Sequence, residues 1–466
     1  MPNALNTNPK YVPVLDPGFV PAVLWNRAYR DRVAQEDGRD LLLALTRPDG
    51  TVFRQSARVL IDSGANRPLN VRYVERLVKF LLWMKGGSGL LIAGADELAG
   101  ELAKIFSPDG PRAFDDQTIG RKMFLDKGLH VESRPASEIP EEFSTSTALG
   151  RNLDGNRIGF DLGGSDRKCA AVIDGKVVHS EEVEWSPYFE NDPQYHYDGI
   201  MDSLRRAAEH LPQVDAIGGS LAGVYVNNEP RVSSLFRGVS VEDFEKHIRP
   251  IFGRVREAWG GVPFEIANDG EVTALAASMS LEDNAVLGIS MGTSLAAGYC
   301  DSEGRITSWL NELAFVPVDY AEQAPRDEWS GDLGCGVQCF SQQAVARLAP
   351  LAGLEYPDDM PFPERLIAVQ ELMRAGDDRA RRIFETIGVY FGYSVAWFAE
   401  FYEIRHLLIL GRVTSGEGGK IIIEKGKQVL ADQFPALAAQ IEMTTPDEKF
   451  KRHGQAIAAA SLPSLS

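Results

Sequence analysis

Apolar positions along the chain change their period repeatedly, and each change marks an element. Leu41-Leu42-Leu43-Ala44-Leu45 and Val52-Phe53 flank Pro48-Asp49-Gly50, a turn sequence between two strands. Val74, Leu77, Val78 and Leu81 then recur at helical spacing, which predicts a helix over 71–84. The unbroken apolar run 89–93 reads as a strand, and 96–106 as a second helix. Residues 1–150 therefore form a small α/β unit that opens on a loop-rich segment.

A polar stretch at 144–156 separates it from a better patterned region. Strands are predicted at 157–162, 169–173 and 176–181, the last two joined by Asp174-Gly175, a strong hairpin signal. A helix (194–210), a strand (214–218), a helix and a strand at 263–267 follow. Ser240 caps that second helix, whose Phe244, Ile248, Ile251, Phe252, Val255 and Trp259 make one stripe. Strands at 285–290, 295–300 and 305–309 start a second trio, followed by helices through 403, a strand at 407–410 and a helix at 419–430. A strand at 441–444 and a small-residue helix at 454–462 end the chain. The repeated order βββαβαβα predicts an α/β protein of two similar lobes, 155–283 and 284–466, facing each other across a cleft. The unit 1–150 is an amino-terminal extension.

Glycine-bearing turns sit at equivalent places in the two lobes. Gly163, Gly164, Ser165 and Lys168 lie at the first strand-to-strand turn, and Gly292, Thr293 and Ser294 at its counterpart. Glycines there let backbone N–H groups approach an anion, and two such turns can grip a polyphosphate from both sides. Asp161, at the strand end, is the candidate Mg²⁺ ligand. A third turn, carrying Gly411 and Arg412, offers a surface for a base and ribose. The plain alternative for each is a tight connection with no ligand. Asn268-Asp269 closes the strand 263–267, and a carboxylate there faces the cleft. Asp269 suits a base that takes the proton of an attacking hydroxyl, or else it only caps the next helix.

Composition narrows the partners. Of 466 residues, 44% are hydrophobic and 24% charged, which is ordinary for a globular protein, and the net charge of −18 argues against a nucleic-acid surface. No apolar run approaches the ~20 residues that span a bilayer, and the polar, Pro-rich amino terminus lacks signal-peptide pattern. Four cysteines are too few for a disulfide scaffold at this length, so a cytoplasmic location is expected. No Walker sequence is present, and Gly86-Gly87-Ser88-Gly89 precedes its strand, the wrong side for a dinucleotide fingerprint.

Over residues 157–462 the chain resembles the ROK sugar kinases and regulators of the actin/hexokinase/Hsp70 superfamily. Five segments carry the resemblance in order: Asp161-Leu162-Gly163-Gly164-Ser165, the strand and loop ending at Gly223, Ala267-Asn268-Asp269-Gly270-Glu271, Gly292-Thr293, and the turn 411–419. It implies ribonuclease H-like lobes, ATP and Mg²⁺ as cofactors, Asp269 as base, and substrate contacts from Asn268, Gly223 and Glu312. The expected activity is phosphorylation of a sugar or polyol; the alternative is a sugar or nucleotide sensor. The family's DNA-binding branch needs an amino-terminal helix-turn-helix, which residues 1–150 do not offer. Departures fall in the first phosphate motif, the adenosine loop and the substrate pocket. Ser165 replaces Thr, Arg412 and Val413 replace glycines, and Phe315 stands where the family has His. Of the family's zinc element only Cys335 and Cys339 remain, so no structural zinc is expected. Ser341 and Gln342 occupy the place of a further Glu. Residues 1–150 are open to three roles: a lid over the cleft, an oligomer surface such as a homodimer contact, or a lobe extension.

Overall fold

The computed structural model describes residues 5–144, 149–445 and 448–465, the side chains of 448–453 apart. Residues 145–148, inside the polar stretch 144–156, lie outside the described residues.

In the amino-terminal unit, β1 (Gly38–Thr46) and β2 (Val52–Leu60) form the hairpin around Gly50, whose φ of 89° the missing Cβ permits. β3 (Gly89–Ala93) runs antiparallel to β1, and β4 (His130–Ser133) parallel to β3, giving the order β2-β1-β3-β4. The longer helices that accompany the sheet are α1 (Ala22–Gln35), α2 (Arg67–Lys85) and α3 (Asp96–Ile105). Helix α2 opens with Pro in its first turn and stops at Gly86, φ 80°. Helix α1 falls in the segment expected to be loop. Its buried Ala22, Trp25, Tyr29 and Val33 recur at helical spacing, but Val23 and Leu24 are buried beside them and blur the stripe, and no side chain caps it.

The first lobe contains β5 (Asn156–Leu162), β6 (Asp166–Ile173), β7 (Lys176–Glu184), β8 (Ala216–Leu221) and β11 (Phe264–Asn268). Their order is β11-β8-β5-β6-β7, with β5, β8 and β11 parallel and the β5-β6-β7 meander antiparallel. A small ribbon, β9 (Val224–Val226) with β10 (Glu229–Val232), leaves the sheet after β8. Helices α4 (Pro193–Ala208) and α5 (Ile251–Ala258) cover one face, and α6 (Asp269–Leu281) leads into the second lobe.

That lobe has the sheet β13-β12-β14-β15: β12 (Val286–Met291), β13 (Leu295–Cys300), β14 (His406–Leu410) and β15 (Glu442–Thr444). Its helices are α7 (Gln342–Leu351), α8 (Phe362–Arg374), α9 (Asp378–Phe398), α10 (Gly416–Gln433) and α11 (Glu448–Ala460). The expected third strand, 305–309, is absent as a ladder; only Ile306 forms bridges, to Leu149 and Cys300. The reason lies at its end and just beyond it, where Ser308, Asn311 and Glu312 bond to groups of the amino-terminal unit and draw the chain off the sheet. The core of the amino-terminal unit is continuous with that of the second lobe, and α1 packs directly on α9.

The last helix, α11, packs on β5, β6 and β8 of the first sheet and beside α6. Gly159 and Gly218 sit level on neighbouring strands, and a Cβ on either would collide with the carbonyls of Ala456 and Ala459. Two bare backbones thus let a helix of small residues lie against the sheet. Gly218→Val is expected to lift α11 and destabilise the protein by about 1–3 kcal/mol, read as a fall in thermal midpoint. An unchanged midpoint would show that the contact is dispensable.

Candidate active site

Parallel pairing sets Leu162, Leu221 and Asn268 level on β5, β8 and β11. Asp161 and Asp269 therefore leave from the carboxyl ends of one sheet, where α/β lobes bind ligands. Asn268 caps α6: its side-chain oxygen accepts the Gly270 N–H at 2.8 Å, while its amide donates to the Gly223 carbonyl at 2.8 Å. This pair of bonds fixes the orientation of Asn268 and couples it to Gly223. The Asp269 carboxylate accepts the same Gly270 N–H at 2.9 Å.

Four acids meet at this point. Burial, and next the charge of Asp161, push Asp269 up to about 6 against the pull of the Gly270 amide. Burial also raises Asp161, although the Ser220 hydroxyl donates to it at 2.6 Å and Lys168 opposes the shift. Glu312 is pushed up to about 7 by burial and then by Asp269. Burial takes Glu271 to about 8, against the Asn311 amide that donates to it at 3.2 Å. Buried carboxyls that raise one another are typical of places where ligand supplies the missing charge and donors.

Among the described residues, no group of three or more His, Cys, Asp or Glu side chains is arranged to hold a metal. Mg²⁺ needs less than that from protein, since it keeps waters and takes phosphate oxygens beside one or two carboxylates. Asp161, desolvated and facing the charge of Asp269, fits that role.

The glycine turns occupy corresponding positions. Gly163 and Gly164 join β5 to β6, and Gly292, Thr293 and Ser294 join β12 to β13. The second turn rests on the start of α7, where the Gln342 N–H donates to the Gly292 carbonyl at 2.9 Å. Gly411, φ 100°, follows β14, and a Cβ there would collide with the Met291 carbonyl, so the third turn abuts the second. Thr293 and Ser294 are exposed.

Three candidates are engaged differently from expectation. The Ser165 hydroxyl donates to Asp166 at 2.8 Å, and the Lys168 ammonium lies 3.4 Å from the same carboxylate. Asp166 thus holds both groups proposed to meet phosphate. The Arg412 carbonyl accepts from Gln370 at 2.8 Å while its side chain is exposed. Residues that sequence reasoning passed over also gather here. Tyr188 lies against Gly164, and the exposed Arg237 stacks on the Tyr188 ring at 4.0 Å. Glu271 stands two positions after Asp269, but only its depth in the fold marks it out.

Cys335 and Cys339 are buried free thiols, the first pushed up to about 12 and the second well above the usual thiol range by burial. Phe315 packs on Trp83 at 4.3 Å and on Phe114 at 5.6 Å between ring centroids, both from the amino-terminal unit.

No protein-family model matches the chain, and no curated protein does. Solved structures do. A ROK hexokinase from Thermus thermophilus matches with a TM-score of 0.52 at 18% identity, covering 66% of this chain and 96% of that one. A ROK family transcriptional regulator, a homologue of the E. coli MLC protein, matches with a TM-score of 0.50 at 18% identity, covering 66% of this chain and 79% of that one. The architecture is a ROK-family fold, as the five segments implied. Among the described residues, no helix is long and apolar enough to cross a membrane.

Proposed function

We propose, on the premise of the ROK-family fold, that this chain transfers a phosphoryl group from ATP to a hydroxyl of a sugar or sugar-like polyol. The observation that supports it most is Asp269, a half-buried carboxyl at a strand end with a raised pKa, next to Asp161 and sensed by Glu312. Phosphoryl transfer asks the protein for positioning, charge neutralisation and a base, and these acids and turns supply all three kinds of group.

In this reading Asp269 accepts the proton of the acceptor hydroxyl. Asn268 keeps one amide proton free after its bond to Gly223 and orients a neighbouring hydroxyl. Glu312, close to neutral when Asp269 is ionised near pH 6, donates to another. Backbone N–H groups of Gly163, Gly164 and Gly292 with Thr293 would cradle the polyphosphate, and Asp161 would hold the Mg²⁺. Bound ATP–Mg²⁺ supplies the phosphoryl group and neutralises charge on its oxygens.

The test is a screen of hexoses, hexitols and N-acetylhexosamines for ATP consumption, followed by a pH profile on any acceptor. Because the base must be ionised and Glu312 must keep its proton, kcat/KM is expected to rise through about pH 6 and to fall again above about pH 7. A profile flat down to pH 4 would remove Asp269 from the base role. A screen with neither turnover nor nucleotide binding would remove the kinase reading. The second reading, a regulator that senses a sugar or nucleotide, draws on the altered pocket at Phe315. It predicts binding without transfer.

A further inference from the structure

We propose that the amino-terminal domain is a working part of the acceptor site, walling the cavity beside Asn268 and holding the segment that presents Glu312. This deepens the kinase reading and rests on it for the word acceptor.

A cavity of about 390 Å³ opens next to the catalytic strand end. Gly223, Asn268 and Trp309 line it from the lobes, and Arg47, Asp49 and Phe124 line it from the amino-terminal domain. That volume lies in the range that holds small organic ligands. The wall is anchored, not incidental. Arg47 is buried, with its guanidinium over the rings of Phe53 and Phe124 at 5.0 and 5.1 Å. It donates to the Ser308 carbonyl at 2.8 Å, to the Ser308 hydroxyl at 3.3 Å, and to the carbonyls of Gly86 and Lys85.

The end of α2 continues the grip. A helix leaves its last carbonyls without partners inside the helix. Here the Met84 carbonyl accepts the Asn311 N–H at 2.9 Å, and the Trp83 carbonyl accepts the Glu312 N–H at 3.0 Å. Asn311 takes a φ of 53° to reach them. Its side chain then donates to Glu271 and accepts the Tyr402 hydroxyl at 2.9 Å. Glu312 is therefore placed by backbone bonds from outside its own lobe, and these same bonds keep residues 308–312 off the second sheet. Arg47, Asn311 and the end of α2 are positioning elements in this scheme.

The lining also restricts the ligand. Asp49, Glu265 and Glu271 are the acids of the cavity, while Arg47, its cation, is committed to carbonyls. Hydroxyl or amine groups suit such a wall; a carboxylate or phosphate on the acceptor does not.

Two kinds of measurement on the full chain test this. Arg47→Ala should speed hydrogen exchange at the Asn311 and Glu312 amides while leaving the amides of α6 protected. It should also raise the KM for a hexose found by the screen by about tenfold or more, with affinity for a non-hydrolysable ATP analogue within about twofold. Asp49→Lys, at an exposed turn, should weaken the same hexose and narrow its advantage over glucuronate and glucose 6-phosphate. Arg58→Ala, on the outer strand, is the control and should change none of these values. Unchanged exchange at 311 and 312, or hexose and nucleotide affinities falling together, would overturn the inference. Acid-bearing sugars binding the parent as well as neutral ones would overturn the restriction on ligand. Wild-type turnover untouched by Arg47→Ala and Asp49→Lys defeats the inference alone. Absent turnover with the exchange result intact defeats the kinase reading alone.

Discussion

Asp269→Asn is expected to lower turnover about 10²- to 10⁴-fold, the range that a general base contributes, without loss of nucleotide affinity. The amide keeps the shape of the side chain and can still accept the Gly270 N–H, but it takes no proton. The same substitution should leave the protein as stable at pH 8 as the parent, or more so. A carboxyl whose folded pKa lies near 6 against 3.8 binds more protons folded than unfolded between those values. Stability contributed by this group therefore falls as pH rises through about 4 to 6, and the deficit persists above that range. Its size is on the order of 3 kcal/mol for a shift of about two pKa units. Asparagine carries no such deficit. Thermal midpoints at pH 5 and pH 8, with and without the substitution, should show the variant gaining on the parent as pH rises. A variant that loses stability at pH 8 would mean that Asp269 is held by contacts that the ionised group needs, and its role as a strained base would fail.

Much of this fold was readable in the sequence, and so was the place in it where the candidate site lies. Residues 89–93 announce a strand by an apolar run and 157–162 by the alternation of Ile158, Phe160 and Leu162, and both are strands in the structure. Glycine turns, the Asn268-Asp269 step and the small-residue helix were legible because each depends on residue type at one place in the chain. What escaped depends on partners distant in sequence. Helix α1 has a stripe, Ala22, Trp25, Tyr29 and Val33, that Val23 and Leu24 blur because the helix is buried on more than one side. Residues 305–309 have the pattern of a strand, yet α2 and Arg47 pull the following segment away. Asp166 looks like a turn residue, and only geometry reveals that it holds Ser165 and Lys168. The role of residues 1–150 was the largest gap, since its contacts with 308–333 join positions more than two hundred apart.

Lys79 shows the same long-range logic in its strongest form, and Lys79→Met should be the most damaging substitution to the stability of this protein. In sequence it sits between apolar residues of α2, where a lysine would ordinarily face water. Instead it is fully buried, its ammonium 3.0 Å from Asp115 and paired with Asp332 of the second lobe. Arg112 joins Asp332 to Glu75, and the Trp83 indole donates to Asp115 at 2.8 Å. Burial alone would lower the Lys79 pKa, but Asp115 and Asp332 outweigh it and hold the ammonium charged. Replacing it by methionine leaves two buried carboxylates facing each other, which costs about 3–5 kcal/mol where one partner of a buried pair is removed. Protonation of Asp115, already pushed upward by burial, relieves part of that cost, so the loss should be smaller at pH 5 than at pH 8. Lys79→Met combined with Asp115→Leu should recover most of it, because the second change removes the stranded charge. Urea unfolding of the four proteins in this cycle measures the coupling. A cost below about 1 kcal/mol, or no recovery in the double variant, would mean that the network does not fasten the amino-terminal domain to the lobe. Because α2 carries both Lys79 and the carbonyls that hold Glu312, a true loss here should also loosen the Asn311 and Glu312 amides before the lobes themselves unfold.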